Sequence, residues 1–499
     1  MAGAAKTTGQ RAGLALGPAL AVAILLAGPP ASLSFAAWVV VATLVLMAVW
    51  WVTEAIPIPI TSLLPLLILP LFGVADMRAA AAPYFSPIGV LLLGGFILAR
   101  SVERWGLHER LALLTVARAG GSAGGLSLGF LVAAALLSAW ISNTATTIML
   151  MPVALSIAAS LGASRGEGSP LAVALVLSVA YGASIGGFAT PVGTPTNLIV
   201  IGGLEQAGDA RLTFARWMMF GVPAVALMIP AAWLVLNRLS GRVTIAAGPD
   251  ADGSAEAQAG AKAVIARRLA ALGPWTPPER RTLIVFAAVA FFWVFRKAFL
   301  QDLSVFGLQP FARLSDAGVA VAGAIAVFLL PAGSRTEPGA PLLDWETARG
   351  LPWDVLLLFG GGLSLAAAIT ATGLGAWLAE AMSGLGGLPP FAIVLALTVF
   401  VVFATELTSN VATAAALVPV VILMSGAAAL DPVGLAAPVA LSASCAFMFP
   451  MATAPNAIAF ASGEVSIPRM ARIGLKLNLA GILVVTALGT TLIPMLFAG

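Results

Sequence analysis

Long apolar runs separated by short polar ones dominate the chain. They predict membrane crossings near 14–30, 36–52, 57–74, 87–102, 171–203, 216–236, 282–298, 315–331, 353–373, 433–463 and 472–498, eleven in all. Helices of about 20 residues match a hydrocarbon layer of roughly 30 Å. Two further apolar regions, 124–161 and 390–430, each carry a polar kink at mid-length, Ser142-Asn143-Thr144 in the first and Ser409-Asn410 in the second. Arms of about 15 residues reach about 22 Å at 1.5 Å per residue, too short to cross. Both regions are therefore expected to be re-entrant hairpins, which leave the crossing count unchanged.

The pattern repeats. VLLLGG at 90–95 answers VLLLFGGG at 355–362, ISNTAT at 141–146 answers TSNVAT at 408–413, and FATPVGTPTN at 188–197 answers FMFPMATAPN at 447–456. Residues 1–35 are expected to hold an N-terminal span, 36–240 a first repeat, 241–281 a cytoplasmic linker and 282–499 a second repeat. Each repeat then has one hairpin (124–161, 390–430) and one broken helix (171–203, 433–463). Five crossings per repeat put the second copy in upside down. The fold class that follows is an all-α polytopic membrane protein built on an inverted repeat, with two re-entrant hairpins and two broken helices. Inverted repeats with Gly- and Pro-interrupted helices are the mark of secondary transporters, whose substrates bind near the midplane.

Composition agrees, since 60% of the 499 residues are hydrophobic and 9% charged, against roughly 45–50% and 25% in soluble domains. The net charge of +4 does not indicate a nucleic-acid partner, because Lys and Arg gather in loops, as the positive-inside rule requires. The basic loops at 100–118 and 237–281 are expected in the cytoplasm, with the N-terminus inside and the C-terminus outside a bacterial-type inner membrane. Arg296 and Lys297, at the outer end of the seventh span, run against this pattern. Lys6 and Arg11 precede an apolar stretch read as a retained span rather than a cleaved signal. Cys445 and His108 are the only residues of their types, which excludes a disulfide framework and a Cys/His metal site. Cys445 is expected to be a small apolar residue in a helix, and His108 to lie on an interfacial amphipathic helix.

Gly186, Gly187, Pro191, Gly193 and Pro195 interrupt the fifth span, and Pro450 and Pro455 the tenth. Backbone freed in this way must line a polar cavity inside the protein. Ser138, Ser142 and Asn143 are spaced i, i+4, i+5, and Thr405, Ser409 and Asn410 repeat the spacing, so two oxygen-lined cation sites are expected. Such residues also serve simply to join membrane helices; the matched spacing in both halves favours sites. No Lys or Arg occurs between Arg118 and Arg165 or between Arg349 and Arg469. An anion bound here depends on helix dipoles, worth about half a charge each, and on cations bound alongside. Coupling to Na⁺ follows from the cost of an uncompensated buried anion. Glu54 and Glu406 would repel an anion, and both are read as hydrogen-bonded structural residues beside Thr53 and Thr405.

WWVTEAIPIPITSLLP at 50–65, the paired Ser-Asn hairpins and the breaks at GTPTN and ATAPN together resemble the divalent anion/sodium symporter (DASS) family of dicarboxylate, citrate and sulfate transporters. The resemblance implies a homodimer in the lipid bilayer whose transport domain moves like an elevator against a fixed scaffold. It implies a first Na⁺ site at Ser138, Ser142, Asn143 and Gly193, and a second at Thr405, Ser409, Asn410 and Ala452, the last through its carbonyl. Substrate carboxylates would meet Asn143, Thr144 and Thr194 on one side and Asn410 and Thr453 on the other. Val411 stands where the family has a threonine, which makes the second lobe less polar, and single prolines replace the family's common Pro-Pro.

The expected function is sodium-coupled transport of small dianionic carboxylates, C4-dicarboxylates such as succinate first, with Na⁺ as coupling ion. A dicarboxylate exchanger, or a symporter of citrate or sulfate, would share these motifs. A channel is disfavoured because the two tips pair within one chain, whereas filters form where subunits meet on an axis. An enzyme is disfavoured because the spans hold no His, Cys or paired-carboxylate constellation.

Overall fold

The computed structural model describes residues 6–161, 169–239, 253–304, 309–381, 388–428 and 430–497. Among them the regular elements are helical, apart from an isolated bridge between Pro331 and Pro341. The first half contains α1 (Thr8–Ala27), α2 (Phe35–Thr53), α3 (Ile58–Thr61), α4 (Leu64–Leu71), α5 (Met77–Ala81), α6 (Pro87–Arg104), α7 (Leu107–Arg118), α8 (Ala123–Ser138), α9 (Asn143–Ser160), α10 (Pro170–Gly186), α11 (Pro195–Gln206) and α12 (Phe214–Leu239). The second contains α13 (Gly253–Ala271), α14 (Pro277–Phe295), α15 (Asp316–Leu329), α16 (Trp345–Ala348), α17 (Trp353–Ala371), α18 (Leu374–Ala381), α19 (Pro390–Thr405), α20 (Asn410–Ala427), α21 (Pro432–Ala443), α22 (Ala454–Ala461), α23 (Ile467–Thr490) and α24 (Leu492–Phe497).

Local chemistry starts these helices. Ser86, Ser169, Thr276 and Asp431 each cap a helix whose first residue is proline. The cap accepts an orphan amide, and proline has no amide to waste at that position. Eight helical segments among the described residues are long and apolar enough to cross a membrane, by length and composition. The expected span at 57–74 is divided into α3 and α4, and that at 315–331 is the 14-residue α15, about 21 Å long. Conversely, α9, the second arm of the first hairpin, has 18 residues and is long enough to cross. Residues 241–252 of the expected linker and Gly499 lie outside the described residues, while α13, within that linker, packs on α7 and α9.

The helices pack in two groups. One joins α8 to α12 with α19 to α23; the other joins α2 to α6 with α14, α15 and α17, and α1 lies on α2. α11 and α20 touch α17 across the boundary. The broken helices occupy the centre of the first group. Every residue of α10 from Leu171 to Gly186 is buried, as is every residue of α21 from Val433 to Ala443, whereas α1 buries only Gly13, Gly17 and Ala21. The first break, 187–194, is buried apart from a half-buried Val192, whereas the second is exposed at Met451, which borders an open cleft. α10 approaches α8 closely because a Cβ at Gly186 would stand 2.3 Å from the Ala135 carbonyl oxygen.

Two expectations need correction. Cys445 is buried but lies just beyond the end of α21, in the break itself, with its thiol facing Gly481 of α23. Glu54 is exposed, adopts a left-handed φ of 48° and makes no side-chain hydrogen bond to another described residue. Chain reversal at the end of α2, rather than side-chain bonding, is its structural part. His108 is half-buried on α7, with Nδ1 3.2 Å from the Val102 carbonyl.

Candidate ion and substrate site

Four helices begin at the expected sites: α9 at Asn143, α11 at Pro195, α20 at Asn410 and α22 at Ala454, with N-caps Ser142, Thr194, Ser409 and Thr453. Each N-terminus leaves amides without an intrahelical partner. The side chains of Ser142, Thr194 and Ser409 make no cap hydrogen bond to a backbone amide, although Thr194 Oγ1 accepts from Thr196 Oγ1 at 3.4 Å. Thr453 differs, its Oγ1 accepting from the Asn456 amide at 3.2 Å.

At the first site, Ser138 Oγ donates to Asn143 Oδ1 at 2.5 Å. A Cβ built on Gly187 would stand 3.2 Å from Asn143 Oδ1, 3.3 Å from the Gly193 carbonyl oxygen and 3.3 Å from Thr194 Cβ. Ser138, Asn143, Gly193 and Thr194 therefore converge on a small cradle that only the absence of a side chain at Gly187 keeps open. Ser142 is exposed at the hairpin tip and Thr144 is half-buried in the first turn of α9.

The second site repeats the arrangement. Thr405 Oγ1 lies 2.8 Å from both Asn410 Oδ1 and the Ala443 carbonyl, its one proton serving either in turn. Ser409, Ala452 and Thr453 line an open cleft of about 530 Å³, shared with Thr7 and Gln10 at the start of α1 and with Glu54. Val411 is half-buried and packs against the apolar core.

Direct bonds tie the two breaks together. Thr196 Oγ1 and Ser444 Oγ are 2.9 Å apart, and Tyr181 Oη donates to the Phe447 carbonyl at 2.9 Å. Among the described residues no group of three His, Cys, Asp or Glu side chains could hold a metal ion. The donors gathered here are neutral oxygens, a set suited to a hard monovalent cation.

The bonding partners of three residues around the candidate site are set by the fold. Asn197 Nδ2 donates to the carbonyls of Gly187 and Thr190, both at 2.8 Å, and Asn456 Nδ2 to those of Ala446 and Phe449 at 3.0 and 3.1 Å. Each amide spans its break and fixes the loop that presents Gly193 or Ala452. The shared terminal Asn of the two ten-residue motifs was the available signal. Glu406 is hydrogen-bonded, as expected, and its partners are the amides of Phe447, Met448 and Phe449 at 2.7, 2.9 and 3.1 Å and Asn478 Nδ2 at 2.7 Å. Ala139 takes the corresponding place in the first hairpin, and only its carbonyl serves, accepting from Thr190 Oγ1 at 2.5 Å.

The family profile for the sodium:sulfate symporter transmembrane region matches residues 10–498. The chain belongs to this family. Within it, the chain is 38% identical over 492 residues to the sodium-dependent dicarboxylate transporter SdcS of Staphylococcus saprophyticus, covering 97% of this chain and 92% of that one. It is 36% identical over 485 residues to SdcS of Staphylococcus aureus, covering 96% and 90%. Among solved structures, the YdaH transporter of Alcanivorax borkumensis superposes with a TM-score of 0.58 at 18% identity, over 85% of this chain and 88% of that chain. MtrF of Neisseria gonorrhoeae does so with 0.56 at 16%, over 85% and 83%. These two likenesses speak to the fold. The candidate site of this symporter-family chain gathers hairpin tips and helix breaks rather than charged side chains.

Proposed function

We propose that the chain is a sodium-coupled secondary transporter of small dianions, with C4-dicarboxylates such as succinate as its leading substrates. The observation that carries this reading is the start of four helices at two bonded breaks, in sequence free of Lys and Arg. At about half a positive charge each, four N-termini supply roughly two charges, enough to meet a dianion. Na⁺ ions held by Ser138, Ser142, Asn143 and the Gly193 carbonyl, and by Thr405, Ser409, Asn410 and the Ala452 carbonyl, offset the desolvation that remains. Substrate carboxylates then meet Asn143, Thr144 and Thr194 in one lobe, and Asn410, Thr453 and the less polar Val411 in the other. The names of the staphylococcal relatives support both the ion and the substrate class.

The division into two helix groups supports an elevator motion, with α8 to α12 and α19 to α23 moving against the rest within a homodimer. Eleven crossings, with the N-terminus in the cytoplasm, put the cleft beside Ser409 on the cytoplasmic side, since it shares a wall with the start of α1. The test is uptake of labelled succinate, malate, citrate and sulfate into proteoliposomes under a Na⁺ or a K⁺ gradient. Asn143→Ala and Asn410→Ala should each raise the half-saturating Na⁺ concentration. Uptake indifferent to Na⁺, or variants with unchanged Na⁺ dependence, would refute the proposal.

A further inference from the structure

Arg296 and Lys297 stand at the expected outer end of α14, against the general bias of Lys and Arg toward cytoplasmic loops. α14 ends there in a single π turn, Arg296–Leu300, a feature found frequently at functional sites. The turn borders a cleft of about 320 Å³ between the two helix groups, lined by Arg296, Lys297, Arg313 and Asp316 from one group and by Pro191 and Glu205 from the other. This cleft is separate from the one that holds Ser409, and it reaches the first break at Pro191.

Its charges are unevenly matched. Arg296, 4% exposed, donates through Nη2 to Asp316 Oδ1 at 2.6 Å, and Asp316 Oδ2 accepts from the Phe214 amide at 3.2 Å. Among the described residues the Arg296 Nε–H is buried with no hydrogen-bond partner, a costly state for a charged donor. Lys297 and Arg313 are exposed and form no ion pair among the described residues. With Asp316 matched to Arg296, two cations face one carboxylate, Glu205. The cleft is net positive, with its exposed cations in excess of its carboxylates.

We propose that this cleft is a docking site for small free dianions, with the exposed Lys297 ammonium and Arg313 guanidinium as donors and the buried charge of Arg296 behind them. As a waypoint for transported substrate the site rests on the function proposed above; as an anion site it stands independently. A cation at this mouth raises the local concentration of the dianion without placing a fixed charge at the midplane, where it would compete with Na⁺.

The experiment uses the full chain in zwitterionic-lipid nanodiscs, carrying Cys445→Ala and Ala312→Cys, with an environment-sensitive fluorophore at position 312 on the cleft wall. Succinate, sulfate and acetate are titrated in choline medium without Na⁺, so that the hairpin sites lack their coupling ion. A saturable response to the two dianions is expected, at least about tenfold weaker for acetate, and weakened by added salt because exposed charges are screened beyond about 8 Å. Lys297→Gln/Arg313→Gln should raise the half-saturating concentration about tenfold, within the range that charged clefts contribute. The proposal is overturned if acetate and succinate titrate alike, if the double substitution changes nothing, or if only added phosphatidylglycerol, whose headgroup offers the same chemistry, gives a response. In Na⁺-driven uptake at low substrate the double variant should be severalfold slower with unchanged Na⁺ half-saturation. Wild-type protein that binds dianions in the cleft yet transports none would refute the proposed function and leave the docking site standing.

Discussion

Gly187→Ala tests the first ion site with the smallest possible perturbation. Gly187 has φ −57° and ψ −21°, an ordinary right-handed conformation, so alanine brings no backbone strain. Its methyl would instead press on the cradle, 3.2 Å from Asn143 Oδ1 and 3.3 Å from the Gly193 oxygen. Either the Asn143 amide gives way by a few tenths of an ångström or the methyl stands in the space facing both oxygens. Hydrogen bonds to charged groups, at about 1.5–3 kcal/mol, set the scale for losing one ion–oxygen contact, and at 1.4 kcal/mol per decade this is roughly 10- to 150-fold in affinity. The half-saturating Na⁺ concentration for succinate uptake should therefore rise at least about tenfold, while the melting temperature of the purified protein holds. Gly186→Ala, whose Cβ would stand 2.3 Å from the Ala135 carbonyl, should lower the melting temperature instead. Wild-type Na⁺ dependence in an active, folded Gly187→Ala protein would refute the placement of the ion.

Three further outcomes are expected. Val411→Thr restores a hydroxyl in the first turn of α20 and should strengthen competition by succinate about tenfold or more, on the same scale; an unchanged ranking across a panel of anions would mean that position 411 only packs. Glu406→Ala strands three backbone amides and Asn478 Nδ2, at about 1–3 kcal/mol per buried orphan, and should lower the melting temperature well below that of Glu406→Gln, which keeps one acceptor oxygen. Asp209, in the loop between α11 and α12, is held below the usual carboxylate range chiefly by its hydrogen bond to Arg211, which also binds Asp431 and the Phe497 carbonyl. A carboxylate with a depressed folded-state pKa contributes stability above its unfolded value of about 3.9 and loses it as pH falls further, so melting should worsen below about pH 4, and Asp209→Asn should flatten that limb.

The apolar lengths, the paired kinks and the proline breaks were legible in the sequence because each is a local property. A run of about 20 apolar residues is matched to lipid, and Pro191 and Pro450, each close to further Gly or Pro, mark breaks, whereas the isolated Pro152, Pro223 and Pro419 stand inside continuous helices. Repetition of the Ser-Asn and Pro-Asn motifs even indicated which segments correspond. The tertiary structure alone decided the partnerships. Asn197 and Asn456 close their breaks through carbonyls reached only once the loop has turned, and Glu406 depends on Asn478, 72 residues away. Glu54 and Glu406 each follow a threonine and look alike in sequence, yet Glu406 is buried among amides and Glu54 is exposed at the end of α2. Arg296 looked like a misplaced charge until the fold set it against Asp316 at the rim of a cleft. Spacing along a chain specifies which face of a helix a group occupies; the donor or acceptor it meets there depends on how the two repeats pack, and that is set by burial summed over the whole molecule.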